Sequence, residues 1–191
     1  MEPGFDLLVK GGHVYGPGDW GTVDLGVRNG RVVAVGQLSQ CQASHVIAAN
    51  GLTVIPGLID PHMHIALPLG GTVTRNDFFT GTVAAARGGV TTIIDFADQR
   101  RGEPPSVVLE ERKRAATDKA VIDYLFTVTL TQADASTLAE VPRLVREGVK
   151  SFKLYTIYRE AGLMLDDGEL LACLEAIAPT GALATVHAES A

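Results

Sequence analysis

Two of the five histidines, His62 and His64, stand two residues apart just after a short apolar run. Residues i and i+2 of a strand point to the same face, so both imidazoles can converge on one point. Imidazole nitrogen is a good ligand for zinc and similar divalent ions. The spacing is compatible with a metal site, in which Asp60 could orient one of the histidines by a hydrogen bond to its ring. An equally open interpretation is that both are loop histidines that bind no metal.

Lys153 lies in the middle of the strand-like segment VKSFKLYTIY, between Phe152 and Leu154. Lysine is almost never fully buried without a partner. Lys153 is therefore either an ordinary exposed strand lysine or a residue with a special role. In the second case its neutral amine adds CO₂, and the resulting carbamate places two anionic oxygens between two mutually repelling metal ions.

Two more polar residues follow apolar strand-like segments. His187 ends LATVHAES, where it shares a face with Leu183 and Thr185. It is either a structural histidine or a further metal ligand. Tyr158, five residues after Lys153, is either a donor to a developing oxyanion or an amphipathic tyrosine at the edge of a loop.

The elements that must position these residues alternate along the second part of the chain. From Ile55 onward, five apolar strand-like segments are separated by four helical segments, which predicts βαβ units and a parallel sheet. No GxGxxG follows the first strand, which argues against a dinucleotide-binding Rossmann unit. A doubly wound sheet and part of a (β/α)₈ barrel both fit. The 137 residues of this part (191 − 54) are far fewer than the roughly 250 of a complete barrel.

The first part of the chain, residues 1–54, reads as short Val- and Ile-rich strands broken by glycine. Asn29-Gly30 lies between two such strands and predicts a type I′ hairpin, because both residues tolerate a positive φ. We therefore expect a small antiparallel β module at 1–54 and the α/β part at 55–191. In the latter, the charged segment LEERKRAATDK is expected to form a solvated helix face.

Composition narrows the classes of function. The 191 residues carry a net charge of −6 with scattered cations, which argues against nucleic acid and anionic membranes as partners. Cys41 and Cys173 form no CxxC motif, as is usual in a cytoplasmic protein with free thiols. The N-terminus lacks a signal-peptide pattern, and no apolar run approaches the ~18 residues of a membrane span.

Several separated blocks carry a resemblance. PGLIDPHMH resembles the PGxIDxHxH signature of the cyclic amidohydrolases, and GGTVTRNDFFTGTVAAARGGVTTIIDF, KAVIDYLF, GVKSFKLYTIY, MLDDGEL and GALATVHAE are similar to dihydropyrimidinases and D-hydantoinases. The resemblance runs from about Phe5 to the end of the chain. It implies a β module followed by the first five βα units of a (β/α)₈ TIM-type hydrolase barrel, incomplete in this chain.

The resemblance also implies a site with two divalent metal ions, usually zinc. By motif position, His62 and His64 bind the more buried metal, Lys153 is the carboxylated bridge, and His187 binds the second metal. Tyr158 matches the tyrosine that polarises the scissile carbonyl. A metal-bridging hydroxide opens a cyclic ureide, a dihydropyrimidine or a 5-substituted hydantoin, as in pyrimidine catabolism. The family also implies a homo-oligomer, commonly a tetramer.

The substrate expected from this comparison is an uncharged ring with an apolar substituent. Dihydroorotases carry an arginine shortly after HxH, whereas residues 65–71 contain no cation. The side chains expected to line the substituent pocket are Met63, Ile65, Leu67, Phe152 and Tyr155, together with Tyr158.

Two features leave other functions open. The family often has an acidic residue where Ala66 stands, and it requires a later metal-binding histidine and an aspartate that also serves as general base. No histidine follows His187. We therefore expect the isolated chain to be inactive as the N-terminal part of a hydrolase. The alternatives are a non-catalytic scaffold of the dihydropyrimidinase-related kind and a small α/β protein with an unrelated binding role.

Overall fold

The computed structural model describes residues 4–69 and 71–190. It divides into two compact units, Met1–Gly57 and Leu58–Ala191. The division falls three residues (57 − 54) beyond the predicted boundary. The reason is that Thr53–Val54 still pairs with the first strand of the chain, whereas the second sheet begins at Leu58.

The first unit is a five-stranded sheet. Its strands are β1 (Phe5–Tyr15), β2 (Asp19–Arg28), β3 (Arg31–Gly36), β4 (Ala43–Ala48) and β5 (Thr53–Val54). β2 pairs antiparallel with β1 and β3, but β4 and β5 run parallel to β1. The sheet is therefore mixed rather than antiparallel as predicted, because the chain crosses after β3 to the far side of β1, giving the order β3-β2-β1-β4.

The predicted hairpin joins β2 to β3. Asn29 and Gly30 have φ of 52° and 70°, and they connect the paired residues Arg28 and Arg31. Positive φ at both central residues is what a type I′ turn requires, and its twist matches that of the flanking strands. The hairpin is confirmed.

The second unit alternates strands and helices as predicted. Its elements are β6 (Leu58–Asp60), β7 (Pro68–Leu69), β8 (Thr72–Val73), α1 (Phe78–Arg87), β9 (Val90–Asp98), α2 (Pro105–Ala116), β10 (Asp123–Thr129), α3 (Ala135–Arg146), β11 (Ser151–Tyr155), α4 (Asp167–Ile177) with a 3₁₀ turn at Ala178–Thr180, and β12 (Leu183–His187). The five longer strands form one parallel sheet in the order β12-β11-β10-β9-β6, while β7 and β8 form a small antiparallel hairpin. The sheet is curled as in half of a (β/α)₈ barrel.

One face of this sheet packs against the helices. Phe152 and Leu154 of β11 are fully buried there, in a cluster that includes Leu144 of α3 and Ile177 of α4. Three of the helices begin at aspartate side chains that accept hydrogen bonds from the first turn: Asp77, Asp134 and Asp166. Such caps satisfy backbone N–H groups that have no partner inside the helix.

The opposite face of the sheet, here called the inner face, follows from the parallel register. Toward the carboxyl ends of the strands, its residues are Phe96 and Asp98 of β9, Thr127 and Thr129 of β10, Ser151, Lys153 and Tyr155 of β11, and Thr185 and His187 of β12, while Ile94, Leu125 and Leu183 lie nearer the strand starts. Most of them are polar, and Asp98, Thr129, Tyr155 and His187 each end a strand. Within the described ranges, no helix combines the length and apolar character of a membrane span.

Candidate metal centre

The two histidines of the HxH motif lie directly after β6 and are exposed. Their rings meet edge to face with centroids 5.2 Å apart. The Phe96 ring contacts both, with centroids 4.7 Å from His62 and 4.8 Å from His64. Phe96 is only 5% exposed and lies on the inner face, so it holds the two imidazoles at the end of the sheet where the strands terminate.

The backbone of this motif is fixed residue by residue. The His62 amide donates to Asp60 Oδ1 at 3.1 Å, and the Met63 amide donates to the Ile94 carbonyl at 3.2 Å. The Ile65 amide donates to Asp95 Oδ1 at 3.3 Å. Asp60 thus orients the first histidine through its main chain and makes no hydrogen bond to an imidazole.

Lys153 is buried, at 8% exposure, on the same face. Among residues 4–69 and 71–190, no hydrogen bond or ion pair engages its ammonium group, and Nζ lies 5.0 Å from the centroid of the Tyr155 ring. Burial lowers the pKa of Lys153. Desolvation, then the charges of His64 and Lys153, lower the pKa of His62 against the opposing effect of Asp60. The charge of Lys153 thus acts on the imidazole of His62.

The ring of His187 contacts two tyrosine rings and neither ring of the HxH pair. Its ring stacks on Tyr155 at 5.6 Å and meets Tyr158 edge to face at 5.2 Å. Its Nε2 lies 3.0 Å from Glu189 Oε2, and Thr156 donates to its carbonyl from both N and Oγ1. Lys153 Nζ also lies over the Tyr155 ring, so Tyr155 contacts both Lys153 and His187.

Tyr158 has a left-handed backbone, with φ of 67°. A non-glycine residue in this region costs on the order of 1–3 kcal/mol, and such residues cluster at functional sites. The turn that holds it is closed by amides of Ala161 and Leu163, which donate to the Tyr158 carbonyl at 3.1 and 3.2 Å. The side chain is 45% exposed, so its hydroxyl is accessible to a small molecule.

Sequence reasoning missed a second polar pair on the inner face. Thr129 Oγ1 donates to Asp98 Oδ1 at 2.5 Å, and Thr129 is the register partner of Lys153. Burial, followed by the charges of Asp98 and Tyr158, raises the pKa of Tyr155 to about 12. The signal was present, because Asp98 ends an apolar strand in the same way as His187.

Two residues expected to line a substrate pocket lie in the core instead. Ile65 is 1% exposed and Phe152 is 0% exposed, and both belong to the cluster between sheet and helices. This contradicts the prediction for these two, since Phe152 neighbours Lys153 along the strand and must face the other way. Met63 and Leu67 are half-buried, and Tyr155 lies on the inner face.

The donor set fits a metal centre only after modification of the lysine. Within the described residues, no three His, Cys, Asp or Glu side chains are grouped closely enough to hold a metal ion. The positive charge of the Lys153 ammonium would repel a metal ion from the neighbouring imidazoles. A carbamate on Lys153 changes the sign of that charge and adds two oxygens beside His62 and His64. The observation in favour of this fit is that Lys153 is a buried residue whose ammonium has no hydrogen-bond partner within the described residues, and whose pKa is lowered by desolvation.

Comparisons with known proteins identify the family to which the chain is similar. Residues 53–191 match the model of the amidohydrolase family. The chain is 41% identical over 184 residues to a D-hydantoinase of Geobacillus stearothermophilus, covering 96% of this chain and 39% of that protein. It is 38% identical over 192 residues to dihydropyrimidinase 1 of Caenorhabditis briggsae, covering 96% and 38%.

Among solved structures, the chain is similar to a dihydropyrimidinase from Brevibacillus agri. The TM-score is 0.91 at 39% identity, over 96% of this chain and 40% of that one. An L-hydantoinase from Arthrobacter aurescens is more distant, with a TM-score of 0.81 at 28% identity. The chain thus spans about two fifths of the length of the relatives it matches.

Proposed function

This chain belongs to the amidohydrolase family, whose members are generally metal-dependent, and we propose that it supplies part of the active site of a cyclic amidohydrolase. The reaction is hydrolysis of a ring C–N bond in a hydantoin or a dihydropyrimidine, the activities for which its relatives are named. The proposal is supported by His62 and His64 beside Phe96, and by Lys153, which has no hydrogen-bond partner among the described residues, on the same inner face of the sheet.

Four residues would hold the metal ions. His62 and His64 would bind one ion, carboxylated Lys153 would bridge, and His187 would bind the second ion. When bound, the metals act as Lewis acids and lower the pKa of a water molecule. His187 reaches this role by turning away from Glu189, with which it makes an exposed hydrogen bond at 3.0 Å. Exposed pairs of this kind are worth little, so the exchange costs little.

The tyrosines have separate tasks. Tyr158, held in a left-handed turn and accessible, would donate a hydrogen bond to the carbonyl oxygen of the scissile amide as negative charge develops there. Tyr155 keeps its proton at neutral pH, because its pKa lies near 12, and its ring covers the Lys153 amine. The Phe96 ring packs against both imidazoles and shields one side of them from water.

The substrate is expected to be an uncharged ring. Residues 65–71 contain no cation to pair a substrate carboxylate. Met63, Leu67 and Tyr155 remain the candidates for contact with an apolar ring substituent, while Ile65 and Phe152 are inaccessible. Comparing turnover of hydantoins with that of dihydroorotate, which bears a carboxylate, tests this preference directly.

The proposal is tested in the protein as its natural gene encodes it. We expect metal-dependent opening of hydantoin or dihydrouracil, lost on treatment with a chelator and restored by divalent metal. His64→Asn should lower both metal content and turnover by at least 100-fold, while His45→Asn, an exposed histidine of the first unit, should change neither. A metal-free protein without turnover would refute the proposal and favour a non-catalytic scaffold.

Other parts of the sequence-based interpretation stay predictions. They are zinc as the metal, carboxylation of Lys153, a homo-oligomeric assembly and a cytoplasmic location. Elemental analysis identifies the metal, and native mass spectrometry detects the added mass of one CO₂, which Lys153→Met should abolish. Light scattering gives the oligomeric state, and fractionation of the source cell gives the compartment.

A further inference from the structure

The segment that follows His64 is fixed by a buried ion pair outside the metal site. Arg112 of α2 pairs with Asp95 of β9. Asp95 is 1% exposed, and the Arg112 side chain is 18% exposed, so the pair is largely shielded from water. Arg112 had been expected on a solvated helix face; the structure corrects this, because α2 packs that part of its surface onto β9.

Both members of the pair bind the backbone of one residue. Asp95 Oδ1 accepts a hydrogen bond from the Ile65 amide at 3.3 Å, and Arg112 Nη2 donates to the Ile65 carbonyl at 2.5 Å. The Phe78 ring supports the guanidinium from 4.9 Å. The peptide groups on both sides of Ile65 are thereby clamped, and His64 is the residue immediately before them.

The clamp acts together with Phe96, the next residue of β9. Asp95 and Phe96 point to opposite faces of the strand, so Asp95 holds the main chain after His64 while Phe96 contacts the imidazoles themselves. The adjacent Ala66 has a left-handed φ of 47°, which leaves the chain little freedom to reach the same His64 position by another route.

We infer that Asp95 and Arg112 are positioning residues for the HxH motif, setting the place of His64 through the backbone of Ile65. This inference rests on the proposed metal-binding function. Neither side chain contacts the imidazoles. Partners that orient metal ligands typically change metal affinity by roughly 10–100-fold when they are removed.

The test uses cobalt(II) titration of the whole gene product in bicarbonate buffer and amide hydrogen exchange of the metal-free protein. Arg112→Met should weaken cobalt binding by roughly 10–100-fold. It should also accelerate exchange at Ile65 without accelerating exchange in the β10 core. Arg112→Lys keeps a cationic donor and should recover part of both effects. Arg114→Met, an exposed arginine of the same helix, is the matched control and should behave as wild type.

The outcomes separate the inference from the function on which it rests. Unchanged cobalt affinity and unchanged Ile65 exchange in Arg112→Met would overturn the inference. If the wild type binds no cobalt at all, the proposed function fails, while exchange at Ile65 still reports on the clamp. If Arg112→Met unfolds globally, Asp95→Asn carries the test, because it removes the negative charge of the buried pair and keeps the shape of the side chain. Exchange at Ile65 and cobalt affinity both equal to wild type in Asp95→Asn would then overturn the inference.

Discussion

Replacing Lys153 with methionine should stabilise the chain while removing its capacity for CO₂ and metal. Lys153 is 8% exposed as a whole residue, and its ammonium has no hydrogen-bond partner within the described residues but keeps some contact with solvent. A fully buried polar group without a partner costs roughly 1–3 kcal/mol, so the partly solvated ammonium of Lys153 costs less than the upper end of that range. The contact with the Tyr155 ring offsets roughly 0.5–1 kcal/mol of this when the amine is charged. Methionine has nearly the same length and no charge, so the net gain expected is at most about 1 kcal/mol.

The pH dependence has a definite sign. Burial lowers the pKa of Lys153 below 10.5, so between the folded-state pKa and 10.5 the unfolded chain binds more protons than the folded chain. The free energy of unfolding of the wild type therefore rises with pH through that window. The advantage of Lys153→Met should be largest near neutral pH and should shrink as the pH approaches 10.5.

Urea denaturation of metal-free protein, followed by circular dichroism at pH 7 and pH 10, measures both effects. For a chain of this size, about 1 kcal/mol also corresponds to a rise in Tm of about 2–4 °C. Lys150→Met is the control, because Lys150 is exposed just before the same strand and should stay within about 0.5 kcal/mol of wild type. A loss of stability in Lys153→Met, or an equal gain in Lys150→Met, would refute the reasoning.

Three further predictions concern local features. Asp134→Ala should cost about 1 kcal/mol of unfolding free energy at pH 7. That loss should disappear as the pH falls toward 2, because hydrogen bonds from the first turn of α3 hold the pKa of Asp134 at about 2, as urea titrations at both pH values would show. Asn29→Ala should cost about 1 kcal/mol because its φ is 52°, whereas Gly18→Ala, in open space, should be nearly neutral in the same assay. Iodoacetamide at pH 8 should label the exposed Cys41 and spare Cys173, whose pKa burial raises to about 11; peptide mass mapping that finds both labelled in native protein contradicts this.

Local sequence patterns were sufficient to predict most elements of the fold. The alternation of strands and helices and the Asn29-Gly30 hairpin depend on periodicity and on turn chemistry, which act over a few residues. The parallel pairing of β4 with β1 was missed, because it depends on where a crossing chain returns and not on the composition of β4. Long-range pairing of this kind has no short-range signature.

In the candidate site, too, local patterns identified some residues, whereas long-range packing decided others. His62, His64 and Lys153 were identified from residue type and strand position, and their role as metal ligands stays a prediction. Ile65 and Phe152 were misassigned, because an apolar residue beside a ligand is read equally well as pocket or as core. Arg112 was missed, since a charged helix segment does not reveal which of its cations turns inward to a buried carboxylate.

The two faces of β11 have a consequence for folding fidelity. Side chains alternate along a strand, so a slip of one residue against β10 would turn Phe152 and Leu154 outward and drive Lys153 among the helices. A lone ammonium in that hydrocarbon costs several kcal/mol, whereas a methionine there would cost nothing comparable. The lysine proposed for catalysis therefore also rejects misaligned strand pairings while the sheet assembles, and Lys153→Met should fold to a more stable but less uniquely aligned sheet.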